Sequence, residues 1–417
     1  MARTFAGTAV FNDSTTLVRS LRAVSTLRLV LGLTALLGAI IFLEGTSWDI
    51  QWHSYIGRDR TLIPPHLMML SGVALSGVSG LLSVLIESWW ARRNKLIGQY
   101  SLGFAQIFSG PLGAYIVGFT ALMAAVAFPL DAYWHALYGI DVAIWAPFHV
   151  MFVASMGIVA LGAAYMLSSA AHLAASLGSA PIPLGNDAAR LALRAQARRK
   201  ETAGSGTRRV ATLGVVLALA TVLSLFTLLL FDALERKNFI NLGFMSINVF
   251  PLLSGMLVAF TLVAAAYAIP WRWAATLVSV CYLLLAGIMA VFVQPATDWL
   301  LTVERLQYRE TPPFTSIVAL EWFITPLVVA ILIDVIMRQA RRKQWSRSKL
   351  TLILALTALL SGALPVVFIF PLFPVVLAVR LGIAGSLASL LLGLAGTYLG
   401  TIFGRNAGES IDSLERE

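Results

Sequence analysis

The chain has 417 residues, 59% of them hydrophobic and only 12% charged, whereas a soluble domain carries roughly 25% charge. That composition excludes an ordinary cytosolic enzyme. It predicts an all-α, polytopic membrane protein, because apolar stretches of about 20 residues recur along the chain, each able to cross a hydrocarbon core of about 30 Å. The net charge of +10 is spread over short loops, so it orients the protein and offers no basic domain to a nucleic acid.

Ten helices are expected, over 26–44, 65–87, 103–128, 148–177, 210–231, 247–269, 273–293, 317–337, 350–376 and 381–403. The first follows Arg19 and Arg22 without a small-residue cleavage site, so it reads as a retained span and not as a signal peptide. Arg19, Arg22 and Arg28, the Arg92-Arg93-Asn94-Lys95 turn, and the 190–209 and 338–349 loops hold most of the Lys and Arg. By the positive-inside rule they face the cytoplasm, together with the N-terminus. A bacterial inner or plasma membrane is the expected setting.

The expected units are 1–177, a four-helix bundle; 178–209, a basic linker; 210–337, a second four-helix bundle; and 338–417, a loop with a final helix pair. Gly185-Asn186-Asp187 and Ala203-Gly204-Ser205-Gly206 read as flexible flanks of a cytoplasmic helix. Pro365, Pro371 and Pro374 interrupt the ninth apolar run, giving a kinked span or a re-entrant hairpin. Trp48, Trp52, Trp89, Trp90, Trp134, Trp145, Trp271, Trp273, Trp299 and Trp322 fall near expected helix ends, where indoles favour the headgroup layer. The single cysteine, Cys281, excludes an intrachain disulfide and any Cys-rich metal site.

Four of the five histidines fall in two copies of one pattern. The first is Trp48-Asp49-Ile50-Gln51-Trp52-His53, then Arg58-Asp59, then Pro64-Pro65-His66. The second is Asp131-Ala132-Tyr133-Trp134-His135, then Asp141, then Pro147-Phe148-His149. In each copy the carboxylate precedes the first imidazole by one helical turn, placing both on one face. The last histidine opens the next helix just after a proline suited to a first turn. Each helical hairpin thus brings two imidazoles and a carboxylate to one point, on the outer side in the expected topology. Such donors suit copper, iron or zinc with open coordination positions. Polar residues resting at the wet ends of helices are the plainer reading. Trp52, Arg58, Asp59, Trp134 and Asp141 are the candidates for groups that orient the ligands, an exposed ion pair being the alternative for Arg58 with Asp59.

Asp49, Trp52-His53, Arg58-Asp59 and Pro64-x-His66, with their spacings, resemble the metal-binding stretch of the C subunit of particulate methane and ammonia monooxygenases. The resemblance covers about residues 20–177. It implies one copper at Asp49, His53 and His66 and a second at Asp131, His135 and His149, where the family has Asn in place of Asp131. It further implies oxidation of a small apolar substrate and additional membrane or copper-protein subunits as partners, besides the lipid bilayer. A metal transporter or metal-delivery protein, and a structural subunit braced by metals, are the alternatives.

Asp298, Thr302 and Thr315 repeat the offsets of Asp49, His53 and His66 near Pro312-Pro313, and Asp232 with Arg236 is a weaker echo. These suggest a duplicated four-helix unit that lost its second metal set, or a chance similarity of helix ends. Met68, Met69 and Met151 follow the ligand histidines and read as packing or as soft ligands. His172 reads as structural. Glu87, Glu321 and Asp334 are ionisable groups near helix ends; Glu87 and Asp334 lie close to basic residues that can pair with them. The Gly393, Gly396 and Gly400 spacing points to close helix contact.

Overall fold

The computed structural model describes residues 3–57, 60–139, 145–176, 187–231, 239–320, 322, 324–361 and 373–413. In chain order the elements are α1 (Arg3–Tyr55), α2 (Pro64–Arg93), α3 (Lys95–Gly98), β1 (Leu102–Phe104), β2 (Phe108–Gly110), α4 (Leu112–Tyr138), α5 (Pro147–Ser176) and α6 (Asp187–Phe231). There follow β3 (Phe239–Asn241), β4 (Ser246–Asn248), α7 (Phe250–Ala268), α8 (Ala274–Glu304), α9 (Ile317–Leu320), α10 (Thr325–Lys343), α11 (Arg347–Ala358) and α12 (Phe373–Ser413). The strands form two small antiparallel hairpins, with Leu102 opposite Gly110 and Phe239 opposite Asn248. The protein is an all-α polytopic bundle.

Among the described residues, eight helices are long and apolar enough to cross a bilayer: Arg19–Tyr55, α2, α4, α5, Ser205–Leu230, α7, α8 and Leu381–Ser413. The ten expected spans are corrected at several points. Span 103–128 starts late, because Gly103, Gln106 and Gly110 build β1–β2 and Pro111 then caps α4; the helix instead runs on through Pro129 to Tyr138. Span 317–337 is broken. Only α9 and then α10 form, with Pro326 starting the second piece, where a proline costs no internal hydrogen bond. Span 350–376 begins with α11, and its 362–372 part, with Pro365 and Pro371, lies outside the described residues. The expected linker at 203–206 is helical, lying within one continuous α6, whereas Gly185 and Asn186 lie outside the described residues. In α12, Gly382 takes φ 66°, a left-handed kink that favours glycine.

Packing explains the arrangement. α1 lies against α2 and α5, and α4 closes the four-helix unit against the same two helices. α6 packs mainly on α5, and α7 mainly on α12; α6, α7, α8 and α10 also touch in succession. The α7–α12 contact is a small-residue seam of the kind that joins helices in lipid. A Cβ at Gly396, Gly400, Gly404 or Gly408 would collide with the carbonyls of Leu252, Met256, Phe260 or Ala264.

α1 and α4 end, and α2 and α5 begin, at the same end of the bundle, the ligand end below. The Arg- and Lys-rich turns at 92–95, 208–209 and 341–343 fall at the opposite, basic end. Arg28 is not a surface charge there. It is fully buried and forms a two-pronged pair with Glu87 of α2, at 2.8 and 2.9 Å, while its guanidinium also donates to Ser169 and to the Tyr100 carbonyl. Asp334 is held by a helix start, accepting from the Ala275 and Thr276 amides and the Thr276 hydroxyl. Glu321 lies outside the described residues.

The tryptophans divide. Trp89, Trp145, Trp273 and Trp299 are exposed on the bundle surface, whereas Trp48 and Trp52 are core side chains and Trp322 stacks on Tyr282. Met68 and Met69 pack beside Gly45 of α1, and Met151 packs against the core.

Candidate metal centres

α1 stays helical to Tyr55, so Asp49 and His53 stand one turn apart on one face. Gly57 then turns the chain with φ 64°, and Pro64 at the first position of α2 brings His66 back over the end of α1. The Asp49 Oδ1 atom lies 3.5 Å from His53 Nε2 and 3.1 Å from His66 Nε2. His53 is 8% exposed, His66 13% and Asp49 17%. The second hairpin is built alike from the end of α4 and the start of α5. Asp131 Oδ1 lies 3.9 Å from His135 Nε2 and 3.3 Å from His149 Nε2, and the side chains are 13–25% exposed.

In each triad one donor atom from every residue lies within 4.8 Å of the others. Donors at about 2.0–2.1 Å from a shared ion in tetrahedral array stand about 3.3 Å apart. The Oδ1 atoms of Asp49 and Asp131 are shut off from solvent, each within ion-pair reach of two imidazole nitrogens. Two imidazoles and a carboxylate so placed supply the donor set of a metal site, and a charged imidazole in the same place forms an ion pair with the carboxylate.

The first triad also has an orienting group. His66 Nδ1 is 3.2 Å from the Thr61 carbonyl, which can only accept, so Nδ1 carries a hydrogen; in the neutral ring Nε2 then presents its lone pair to the site. On the far side of α1, contacts to α8 fix the helix end. Trp48 meets Phe292 edge to face at 5.7 Å, Gln51 donates to Gln294 at 2.6 Å, and Arg60 pairs with Glu304. Arg309 donates to the Tyr55 and Gly57 carbonyls. The second triad leans on its own hairpin, where Trp134 packs tilted against Tyr138 and meets Phe148 beside His149. Phe128, one turn before Asp131, stands edge to face on His66 at 6.0 Å; the two triads are neighbours.

The structure therefore brings together all six residues expected as ligands. Of the candidates for orienting them, Trp134 braces its hairpin and Trp52 is a buried core residue. Arg58, Asp59 and Asp141 lie outside the described residues, as do Asp232 and Arg236. Asp298, Thr302 and Thr315 do not converge: the Thr302 hydroxyl donates to the Asp298 carbonyl, the Thr315 hydroxyl to the Ala290 carbonyl, and the Asp298 carboxylate accepts from Tyr308. His172 ties α5 to Asp412 of α12 at 3.8 Å. Sequence reasoning missed Gln294 and Phe128, because nothing local marks their contacts with Gln51 and His66 in distant parts of the chain; it also missed Tyr308 and Glu44.

No protein family, curated protein or solved structure matches the chain.

Proposed function

We propose that this integral membrane protein is a metalloprotein that holds two metal ions, copper by resemblance, at Asp49, His53, His66 and at Asp131, His135, His149. The observation that carries the reading is the convergence of both imidazole Nε2 atoms on Asp49 Oδ1, with His66 set by the Thr61 carbonyl. The ligand end faces outward by the positive-inside rule. In the C subunits that the sequence resembles, such a site belongs to an oxygenase acting on small apolar molecules. Bound copper would supply the redox chemistry. The chain itself contributes three donors, a ring orientation and a sheltered setting at the first site. It also contributes an apolar recess of about 380 Å³ between α5, α6, α7 and α12, lined by Trp145, Phe226, Leu229, Met256 and Phe260 among others. Trp145 lies four residues before His149, in the turn that opens α5, so the recess reaches the second hairpin at that residue.

Passage of the metal across the membrane would need donors continuing toward the basic end. Between α1 and α2 the described side chains offer Ser76 and Ser79, each already donating to a carbonyl, the single enclosed Ser83 hydroxyl, and then the closed Arg28–Glu87 pair. A resident metal fits this better than a transported one.

The test is elemental analysis of protein purified without chelators. Two equivalents of metal are expected, with one lost in His53→Ala or His66→Ala and the other in His135→Ala. Metal content unchanged by these substitutions overturns the reading. Oxidation of a small hydrocarbon by the metal-loaded protein, with its subunits, separates an oxygenase from a structural role.

A further inference from the structure

α1 has a second polar face, turned away from the metal ligands. Ser47 contacts the Met289 sulfur at 3.1 Å, Trp48 meets Phe292, and Gln51 bonds Gln294. These three side chains face α8. With 3.6 residues per turn, Glu44 falls in the middle of that face, while Asp49 and His53 point the opposite way. Glu44 is 5% exposed, and both of its carboxylate oxygens are enclosed without a hydrogen-bond partner among the described residues. It lies about 16 Å below the end of α1, roughly half the depth of a hydrocarbon core. A bare carboxylate is strongly disfavoured there, and an ionisable group at such depth marks a site.

Either a proton or a metal cation can neutralise it. A hard cation takes about six oxygen ligands, whereas the hydroxyl nearest along the face, Ser47, already donates to the Leu43 carbonyl. One turn on, the enclosed Trp48 Nε1–H offers a hydrogen-bond donor that lacks an acceptor. A donor suits a carboxyl group and repels a cation. Toward the ligand end the polar groups continue. Gln294 donates to Tyr308 at 2.9 Å and to Asp298 at 3.2 Å, Tyr308 donates to Asp298 at 2.6 Å, and Asp298 is exposed. Toward the basic end the same face presents Ile41, Ile40 and Leu37, so polar access is one-sided. Among the described titratable groups on helices packed against α1, acids and bases lie toward the helix ends, and only Tyr165, Cys281 and Tyr282 share intermediate depth.

We propose that Glu44 is a proton-binding site in the membrane interior, loaded from the ligand end along the α1–α8 seam. It stands apart from the metal centres and holds whether or not they take a metal. The test uses the full chain in lipid vesicles with a hydrophobic carbodiimide, which modifies protonated carboxyl groups in apolar surroundings. Mass spectrometry is expected to map an adduct to Glu44 that fades in alkaline buffer, persists in Glu44→Asp and is absent in Glu44→Gln. Infrared spectra should show a protonated carboxyl band that is lost in Glu44→Gln. Its deuterium shift after transfer to heavy water should be at least about tenfold slower in Gln294→Leu, which interrupts the polar column. An unlabelled Glu44, or a carboxyl band unchanged in Glu44→Gln, overturns the site. Unaltered exchange in Gln294→Leu overturns the route. Loss of metal from Glu44→Gln would place Glu44 in the metal centre and overturn its independence.

Discussion

The two ligand hairpins share donors, spacing and end of the bundle, yet they differ in what surrounds them. The first is held from outside: α8 and the segment after it grip the end of α1, the Thr61 carbonyl sets His66, and the Arg28–Glu87 pair fastens α1 to α2 at the other end. The second is held mostly by its own aromatic residues, and its donor separations reach 3.9 Å where the first reaches 3.5 Å. Identical ligand chemistry thus stands in a braced frame and in a looser one. The difference teaches that positioning comes from sequence-distant helices and not from the motif itself.

The comparison can be broken most forcefully at the basic end. Glu87→Ala leaves Arg28 buried without its carboxylate and is expected to cost about 3–5 kcal/mol, read as a large fall in thermal midpoint in detergent. Asp412→Ala removes the half-exposed partner of His172 and should cost under about 1 kcal/mol. Equal effects would deny that the first hairpin is the more firmly anchored.

Metal affinity sharpens the contrast. Asp49→Ala should weaken the first site by at least on the order of 100-fold, since a ligand matters no less than an orienting neighbour. A chelator should empty the second site before the first, followed by metal content in His53→Ala and His135→Ala backgrounds. A smaller change, Phe292→Ala, removes the ring against Trp48 and should weaken the first site about tenfold while leaving the second unaltered. Loss at both sites would mean that α8 does not act selectively on α1.

The smallest effect concerns Tyr308. Burial and the hydrogen bond to Asp298 push its phenol above the ordinary tyrosine range. A raised value means that the neutral donor stabilises the fold below the ordinary value of about 10 and that this contribution is lost as pH rises through the raised one. Tyr308→Phe should therefore lower stability by about 1 kcal/mol at neutral pH, with the difference closing in strongly alkaline buffer.

Much of this was legible in the sequence, for definable reasons. A one-turn spacing fixes Asp49 beside His53, and a proline before His66 fixes where the next helix starts, so the triads follow from local rules. The glycine seam of α12 follows from its four-residue repeat. Hydropathy alone did not reveal that 102–110 would pair as strands or that the helix would break before Thr325, since apolar content does not distinguish a span from a hairpin lying on its edge. Arg28 looked like a topological charge because its partner, Glu87, is 59 residues away. Glu44 carries no local mark at all; its significance lies in the partners it lacks.

The central claim is tested most directly by anomalous diffraction or cryo-EM density from protein purified without chelators, alongside its elemental analysis. The account predicts one metal peak among Asp49, His53 and His66 and a second, weaker one among Asp131, His135 and His149. A metal-free protein, or density for an ion bound elsewhere with both triads empty, would contradict it.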